Sequence, residues 1–340
     1  MGKTYIRPAG LVFGPDARRL IKEGRGASLG GFPALAYTMV EIIAREEGGL
    51  ARRFEIYDGA HPIGWPQPVS RDRPLVMGIV NVTPDSFSDG GKNAATETAI
   101  ANGLRMAKDG ADILDVGGES TRPGSEGVAT AEELARVIPV ISALAREGLR
   151  VSCDTRKAEV MREALKAGAS IINDVSALQY DPGSMAEMVT ADCPVILMHA
   201  QGDPKTMQLS PSYEDVALDV YDGLEARITA CTAAGIDRAR LMADPGIGFG
   251  KTFRHNLDLL QQFTLFHGLG VPLVMGLSRK GFVGALTGEK IAGNRVHGSV
   301  GGALWAALNG AQILRVHDVK ATVEALAVAW GSADPDASGL

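Results

Sequence analysis

The chain has 340 residues, 45% of them hydrophobic and 22% charged, enough to bury one large core or two ordinary ones. A net charge of -6 and a pI near 5.6 exclude a general nucleic-acid surface, which needs clustered positive charge to displace counterions from phosphates. No stretch approaches the roughly 20 apolar residues of a membrane span. The start Met1-Gly2-Lys3-Thr4-Tyr5-Ile6 runs into Arg7 and Pro8 and predicts neither a secretory leader nor myristoylation. Cys153, Cys193 and Cys231 are far apart and in no metal-binding spacing, as suits free thiols of a reducing cytoplasm.

Residues 1–73 stand apart from the rest. Phe32, Leu35, Tyr37, Met39, Ile42 and Ile43 predict one helix over 34–47, and the Pro- and Gly-rich stretch 62–74 reads as a joint. This N-terminal arm carries enough apolar residues to dock on a neighbouring surface.

From residue 74 to about 330 one unit recurs: a short apolar run, a polar or glycine-rich turn, then a stretch of helical periodicity. The strands are predicted at 75–82, 112–117, 150–153, 170–175, 194–198, 240–243, 272–277 and 312–316, each nearly continuously apolar, as strands buried on both faces are. Helices are predicted at 96–108, 131–146, 157–166, 213–234 and 294–308, with Gly110, Gly148, Gly168, Gly235 and Gly310 placed just past their ends. Eight β-then-α units over this length predict a (β/α)8 TIM barrel; a doubly wound sheet normally uses fewer. Residues 331–340 remain as a C-terminal tail.

A TIM barrel carries its active site where the strands end, on their C-terminal side. All eight predicted strand ends are polar: Asn81; Glu119 to Arg122; Asp154; Asn173 and Asp174; His199; Asp244; Ser278, Arg279 and Lys280; Arg315 and His317. A single Asp or Asn there would be a turn former or helix cap, but eight on one rim point to a site. Arg315 and His317, two apart on one strand, project to one face and with Arg122 and Asn81 are suited to an anion such as a pyrophosphate. Asp154, Asn173 and Asp244 suit a flat heterocycle rich in N–H donors, with Arg315 stacked on its face. The loops 83–91 and 120–125, rich in Gly, Pro and small polar residues, are of a kind that closes over a substrate. The loop 244–251 lacks the spacing of a nucleotide-binding P-loop.

The run Asn81-Val82-Thr83-Pro84-Asp85-Ser86-Phe87-Ser88-Asp89-Gly90-Gly91 and the run Asp115-Val116-Gly117-Gly118-Glu119-Ser120-Thr121-Arg122-Pro123-Gly124 resemble the two long signatures of the dihydropteroate synthases, a pterin-binding TIM-barrel family. The resemblance continues in order through Ser152 to Thr155, Ile172 to Asp174, Leu197 to His199, Asp244 to Gly246, Ser278 to Lys280 and Arg315 to Asp318. It covers residues 74 to 330 and not the arm.

The resemblance implies that Asp154, Asn173, Asp244 and Lys280 recognise a pterin, with Met198 and Phe249 as apolar walls and Arg315 stacked on the ring. It implies Asn81 as the Mg²⁺ contact, Thr121, Arg122, Arg315 and His317 as holders of pyrophosphate, Phe87 and Pro123 around 4-aminobenzoate, and Asp89 near the reacting carbon. Asp154, Asp89, Arg122, Lys280 and His317 are thereby the expected catalytic set. Gly281 departs from relatives that carry a side chain there, and the stretch 294–299 is also atypical. The implied reaction is displacement of pyrophosphate from 6-hydroxymethyl-7,8-dihydropterin pyrophosphate by the amine of 4-aminobenzoate, in a cytoplasmic homodimer that sulfonamides inhibit. A pterin-dependent methyltransferase domain, which would need neither the two signature loops nor the pair Arg315 and His317, and a catalytically silent pterin-binding barrel are the competing readings.

Overall fold

A computed structural model describes residues 3–59, 73–82, 92–120, 124–202 and 205–334. The arm is a small antiparallel sheet with one helix: β1 (Thr4–Phe13), α1 (Gly14–Lys22), β2 (Ala27–Leu29), β3 (Phe32–Glu46) and β4 (Gly49–Ile56), with β1, β2 and β4 all pairing with β3. The helix expected over 34–47 is therefore wrong; that stretch is the long central strand. Tyr37, Thr38, Val40, Ile42 and Ile43 are aromatic or β-branched residues that favour a pleated surface. The alternation that would have marked a strand is lost because both faces are covered. Val40 and Ile42 join a cluster with Phe32, Leu35 and Tyr37, while Ile43 packs with Tyr5 in the main core. The arm docks through a Tyr5–Tyr221 edge contact at 5.5 Å, a Phe32–Trp330 contact at 5.7 Å, and bonds from Thr264 Oγ1 to the Pro8 carbonyl and from Gln312 Nε2 to the Gly30 carbonyl.

The barrel strands are β5 (Leu75–Asn81), β6 (Ile113–Gly117), β7 (Val151–Asp154), β8 (Ile171–Asp174), β9 (Val195–Met198), β10 (Leu241–Asp244), β11 (Val274–Met275) and β12 (Ile313–Val316). All eight pairings are parallel: β5 to β10 follow in chain order, β12 sits between β5 and β11, and a single Ala243–Leu273 bridge joins β10 to β11 and closes the ring. The predicted TIM barrel is thus observed. The seventh strand is shorter than expected, two residues rather than 272–277.

Around the ring lie α2 (Lys92–Lys108), α3 (Thr130–Arg146), α4 (Ala158–Lys166), α5 (Ser184–Thr190), α6 (Val216–Ala233), α7 (Phe253–Gln261), α8 (Gly281–Thr287), α9 (Val296–Leu308) and α10 (Val319–Ala333). The five glycines expected past helix ends all have positive φ, between 74° and 107°, the left-handed conformation that ends a helix without a Cβ penalty. The expected tail begins later than residue 331, because α10 runs to Ala333 and buried Asp334 is ion-paired with Arg18 of α1.

Met77, Ile113, Ile171, Ile196, Met242, Val274 and Ile313, one from each of seven strands, form a separate apolar cluster inside the ring. The barrel is filled at that level, as interiors of this fold are, so open space remains only toward the strand ends.

Candidate active site

The cavity of about 670 Å³ at the C-terminal ends of the strands is lined by Asn81, Asp154, Phe249, Lys280, Arg315 and His317 of the predicted residues, together with Glu119, Gln208, Lys251, Ser278 and Arg295 among others. Asn173, Met198 and Asp244 do not line it; they are buried just behind its wall. Phe87, Asp89, Thr121, Arg122 and Pro123 lie outside the described residues.

Parallel pairing sets Asp154 level with Gly117 on one side and Asn173 on the other, so three strand ends meet at one height. Across the ring, Arg315 Nε donates to Asp115 Oδ2 at 2.6 Å and its Nη2 donates to Asp154 Oδ2 at 2.6 Å. Asn173 Nδ2 donates to the same Asp115 oxygen at 3.1 Å, leaving its own carbonyl oxygen as an acceptor. Two of the Arg315 donors are therefore committed to carboxylates, and the guanidinium is fixed in orientation. Burial works against its charge, but Asp115 and Asp154 more than offset that, so it stays protonated.

Burial pushes the Asp154 carboxyl up to about 7; Arg315 opposes the rise, while Asp115 and Glu133 add to it. The Asp244 carboxyl is likewise raised by burial, with Lys280 opposing. Lys280 itself is brought down to about 8 by the same desolvation. A Cβ on Gly276 would come within 3.9 Å of Arg315 Cβ and Lys280 Nζ and 4.0 Å of Asp244 Oδ2. Asp244, Lys280 and Arg315 thus ring a piece of floor that carries no side chain of its own.

Lys280 sits with Nζ 4.7 Å from the centre of the Phe249 ring and also donates to the Ile247 carbonyl. The turn before it is strained: Arg279 has a φ of 59°, held by an ion pair to Asp318 at 2.5 Å and by Ser299 Oγ accepting its N–H at 2.8 Å. That strain sets Ser278 and Lys280 both against the cavity. Ser278 Oγ accepts the His317 N–H at 3.1 Å and stands 3.0 Å from His317 Nδ1, so the imidazole is positioned from behind.

Three further groups carry geometry that sequence reasoning did not assign. Asp115 lies within a motif and has no predicted role of its own, yet its carboxylate organises Arg315 and Asn173. Glu119 is gripped by Arg156 at 2.5 Å and by Lys157, which also pairs with Glu133 at 2.5 Å. Burial alone would raise the Glu119 carboxyl, but Lys157 and Arg156 hold it below its usual range. Among the described residues Lys251 has no carboxylate within ion-pair distance; its Nζ lies 3.1 Å from His199 Nδ1, 3.3 Å from the His199 carbonyl and 3.0 Å from the Phe249 carbonyl. Desolvation brings Lys251 down to about 7 and His199 to about 3, which keeps the imidazole neutral as an acceptor.

A charged donor, Lys280, and the Asp154 carboxylate thus line an apolar-walled space, with the acceptors of Asp244 and Asn173 buried close by, a set suited to a flat ring that presents both N–H and carbonyl edges. The profile of the family described as "Pterin binding enzyme" matches residues 77–317. Dihydropteroate synthase of Neisseria meningitidis serogroup B is 50% identical over 268 residues, covering 76% of this chain and 93% of the relative. The chain belongs to the dihydropteroate synthases, within the pterin-binding enzymes. Among solved structures, dihydropteroate synthase of Xanthomonas albilineans with 4-aminobenzoic acid is 53% identical with a TM-score of 0.73, covering 77% of this chain and 93% of that one. The Yersinia pestis dihydropteroate synthase in a sulfonamide drug complex is 48% identical, also with a TM-score of 0.73, covering 76% and 94%. The match to the synthase family is to the barrel, and the family profile begins after the arm.

Proposed function

We propose that this chain is a transferase of folate biosynthesis that joins 6-hydroxymethyl-7,8-dihydropterin pyrophosphate to 4-aminobenzoate, giving 7,8-dihydropteroate and pyrophosphate. The observation that carries the reading is the linked set Asp154–Arg315–Asp115–Asn173 beside Asp244 and Lys280, at one end of a barrel whose family makes this product's name. The bond between the exocyclic carbon and the pyrophosphate oxygen breaks, the amine nitrogen bonds to that carbon, and the amine loses a proton. Positive charge developing on the pterin faces the Asp154 carboxylate, whose orientation Arg315 fixes before substrate arrives. Lys280 donates to the ring's acceptor edge, and Asp244 and the Asn173 oxygen accept from its donors. His317, with Arg122 and Asp89 from the flanking loops, is assigned to the leaving group and the reacting carbon by family resemblance.

Mg²⁺ belongs to the same proposal. Among the described residues no group of three His, Cys, Asp or Glu could cage a metal, and Asn81, with its amide oxygen, lines the cavity. One neutral oxygen fits Mg²⁺, which keeps several waters and takes its charged ligands from substrate phosphates. Bound there, the ion would neutralise charge on the departing pyrophosphate.

The deciding assay follows pyrophosphate release by the purified chain: it requires both the pterin pyrophosphate and 4-aminobenzoate, and release without the amine would sink the reading. Sulfonamides, which share the aniline and place a sulfonyl where the carboxylate would sit, compete with 4-aminobenzoate; a sulfamethoxazole effect on kcat alone would contradict this. A homodimer is supported by the apolar groove between α7, α8 and α9, where Leu286 and Trp305 are exposed beside Leu257, Leu260 and Phe282. Sedimentation of Trp305→Asp as a monomer checks that face. The three buried free cysteines agree with a cytoplasmic location, and no described helix is long and apolar enough to cross a membrane.

A further inference from the structure

The arm places three of its cations, Lys3, Arg45 and Arg52, on one short stretch of the barrel. Arg45 Nη2 lies 2.5 Å from Asp219, and its Nη1 3.3 Å from Glu214; Arg52 Nη2 lies 3.4 Å from Asp215, and Lys3 2.5 Å from both Asp222 and Glu225. All five acids lie at the start of α6 or on its first three turns. Two of them build the helix start. Asp215 is the N-cap and accepts from the Ala217 and Leu218 N–H groups at 3.0 and 3.1 Å, and Asp219 accepts the Glu214 N–H at 2.8 Å. Arg52 also donates to Gln262, which follows α7, at 3.2 Å, so it bridges two helices of the ring.

The segment 205–215, leading into that helix start, is tied at its other side to the wall of the cavity. Gln208, itself a lining residue, donates from Nε2 to the Gly248 carbonyl at 2.6 Å, and Tyr213 donates its hydroxyl to the Gly250 carbonyl at 2.8 Å. Between those two glycines lies Phe249, the wall over which Lys280 sits. A continuous chain of contacts therefore runs from Arg45 and Arg52 through Asp219 and Asp215 to the backbone on either side of Phe249.

We propose that the arm is a positioning element of the active site: Arg45 and Arg52 fix the start of α6, so that Gln208 and Tyr213 hold the Phe249 loop in the geometry that receives the pterin. This rests on the proposed function for the identity of the ligand, but not for the mechanical link. Exposed ion pairs contribute little to global stability. Their placement on an N-cap and its neighbours gives them a local role instead, since a helix start with disturbed caps frays.

The test compares full-length Arg45→Ala/Arg52→Ala with Lys3→Ala and with Arg53→Ala, whose exposed side chain pairs, among the described residues, with Glu55 of its own strand. The aromatic contacts and the Thr264 and Gln312 bonds keep the arm docked in all of them. Hydrogen exchange over 205–215 and 246–251 is expected to quicken about tenfold in the double variant, with KM for the pterin pyrophosphate raised about threefold to tenfold and kcat within about twofold, the range for residues coupled to a site they do not touch. The two controls leave both quantities unchanged. Unaltered exchange in those segments overturns the proposal, as does faster exchange without a change in KM. A uniform rise in exchange across the whole barrel also overturns it, because the arm would then be only a stabiliser. If the wild-type chain shows no pyrophosphate release, the functional reading fails, while the exchange comparison still decides the mechanical link.

Discussion

Ion pairs do opposite things at the two ends of this molecule. On the barrel rim, Lys157 meets Glu119 and Glu133 with side-chain exposures of 9%, 4% and 1%, so none of the three can turn to water if a partner is lost. On the arm, Lys3 meets Asp222 and Glu225 at exposures of 38%, 36% and 45%, where solvent takes over at once. The same chemistry thus sets internal geometry at Lys157 and ties one surface to another at Lys3. The distinction is solvent, not distance.

The sharpest way to break this comparison is Lys157→Met. It leaves buried Glu133 without its cation and Glu119 with Arg156 alone, and is expected to cost about 3–5 kcal/mol, read from urea unfolding. A loss under about 1 kcal/mol would mean that the rim is as wet as the arm. Asp154→Asn comes next: the fold survives, since Arg315 keeps Asp115, and kcat falls about 10²- to 10³-fold. Near wild-type kcat would remove Asp154 from the chemistry.

A smaller effect separates the rim carboxyl from its lysine by pH. Asp154 must be ionised, so kcat/KM rises as pH increases through about 7; Lys280 must be protonated, so it falls again as pH passes about 8. Asp154→Asn removes the rising limb from whatever activity is left, and Lys280→Arg moves the falling limb upward. A flat profile from pH 5 to about 10 would mean that neither group is desolvated in solution. The least effect belongs to Lys3→Ala, about 0.2–1 kcal/mol of stability and less at high salt. A loss as large as that from Lys157 would erase the contrast.

The barrel was legible because each strand is a short apolar run closed by a polar residue, and five of those closing residues, Asn81, Asp154, Lys280, Arg315 and His317, line one cavity. Asp115 escaped notice because it lies inside an apolar run rather than at its end, although a charge buried in a strand is itself a signal. Lys251 was passed over because its partner, His199, is 52 residues away and only folding joins them. The arm misled for a different reason. Its central strand is covered on both faces, so it shows no two-residue alternation, and six apolar residues spread over it fall near helical spacing. Of the later helices, α8 has only seven residues, too few for a period to show.

The ring has one thin link. Every other neighbouring pair of strands shares at least two paired residues, but β10 and β11 share a single bridge, with the Ala243 N–H bonded to the Pro272 carbonyl at 2.9 Å. Backbone protection against exchange should therefore be lowest along that seam among the barrel strands. β10 ends in Asp244, and β11 leads to Gly276 and Lys280. The thinnest link of the ring and the side-chain-free floor at Gly276 are therefore neighbours in the fold.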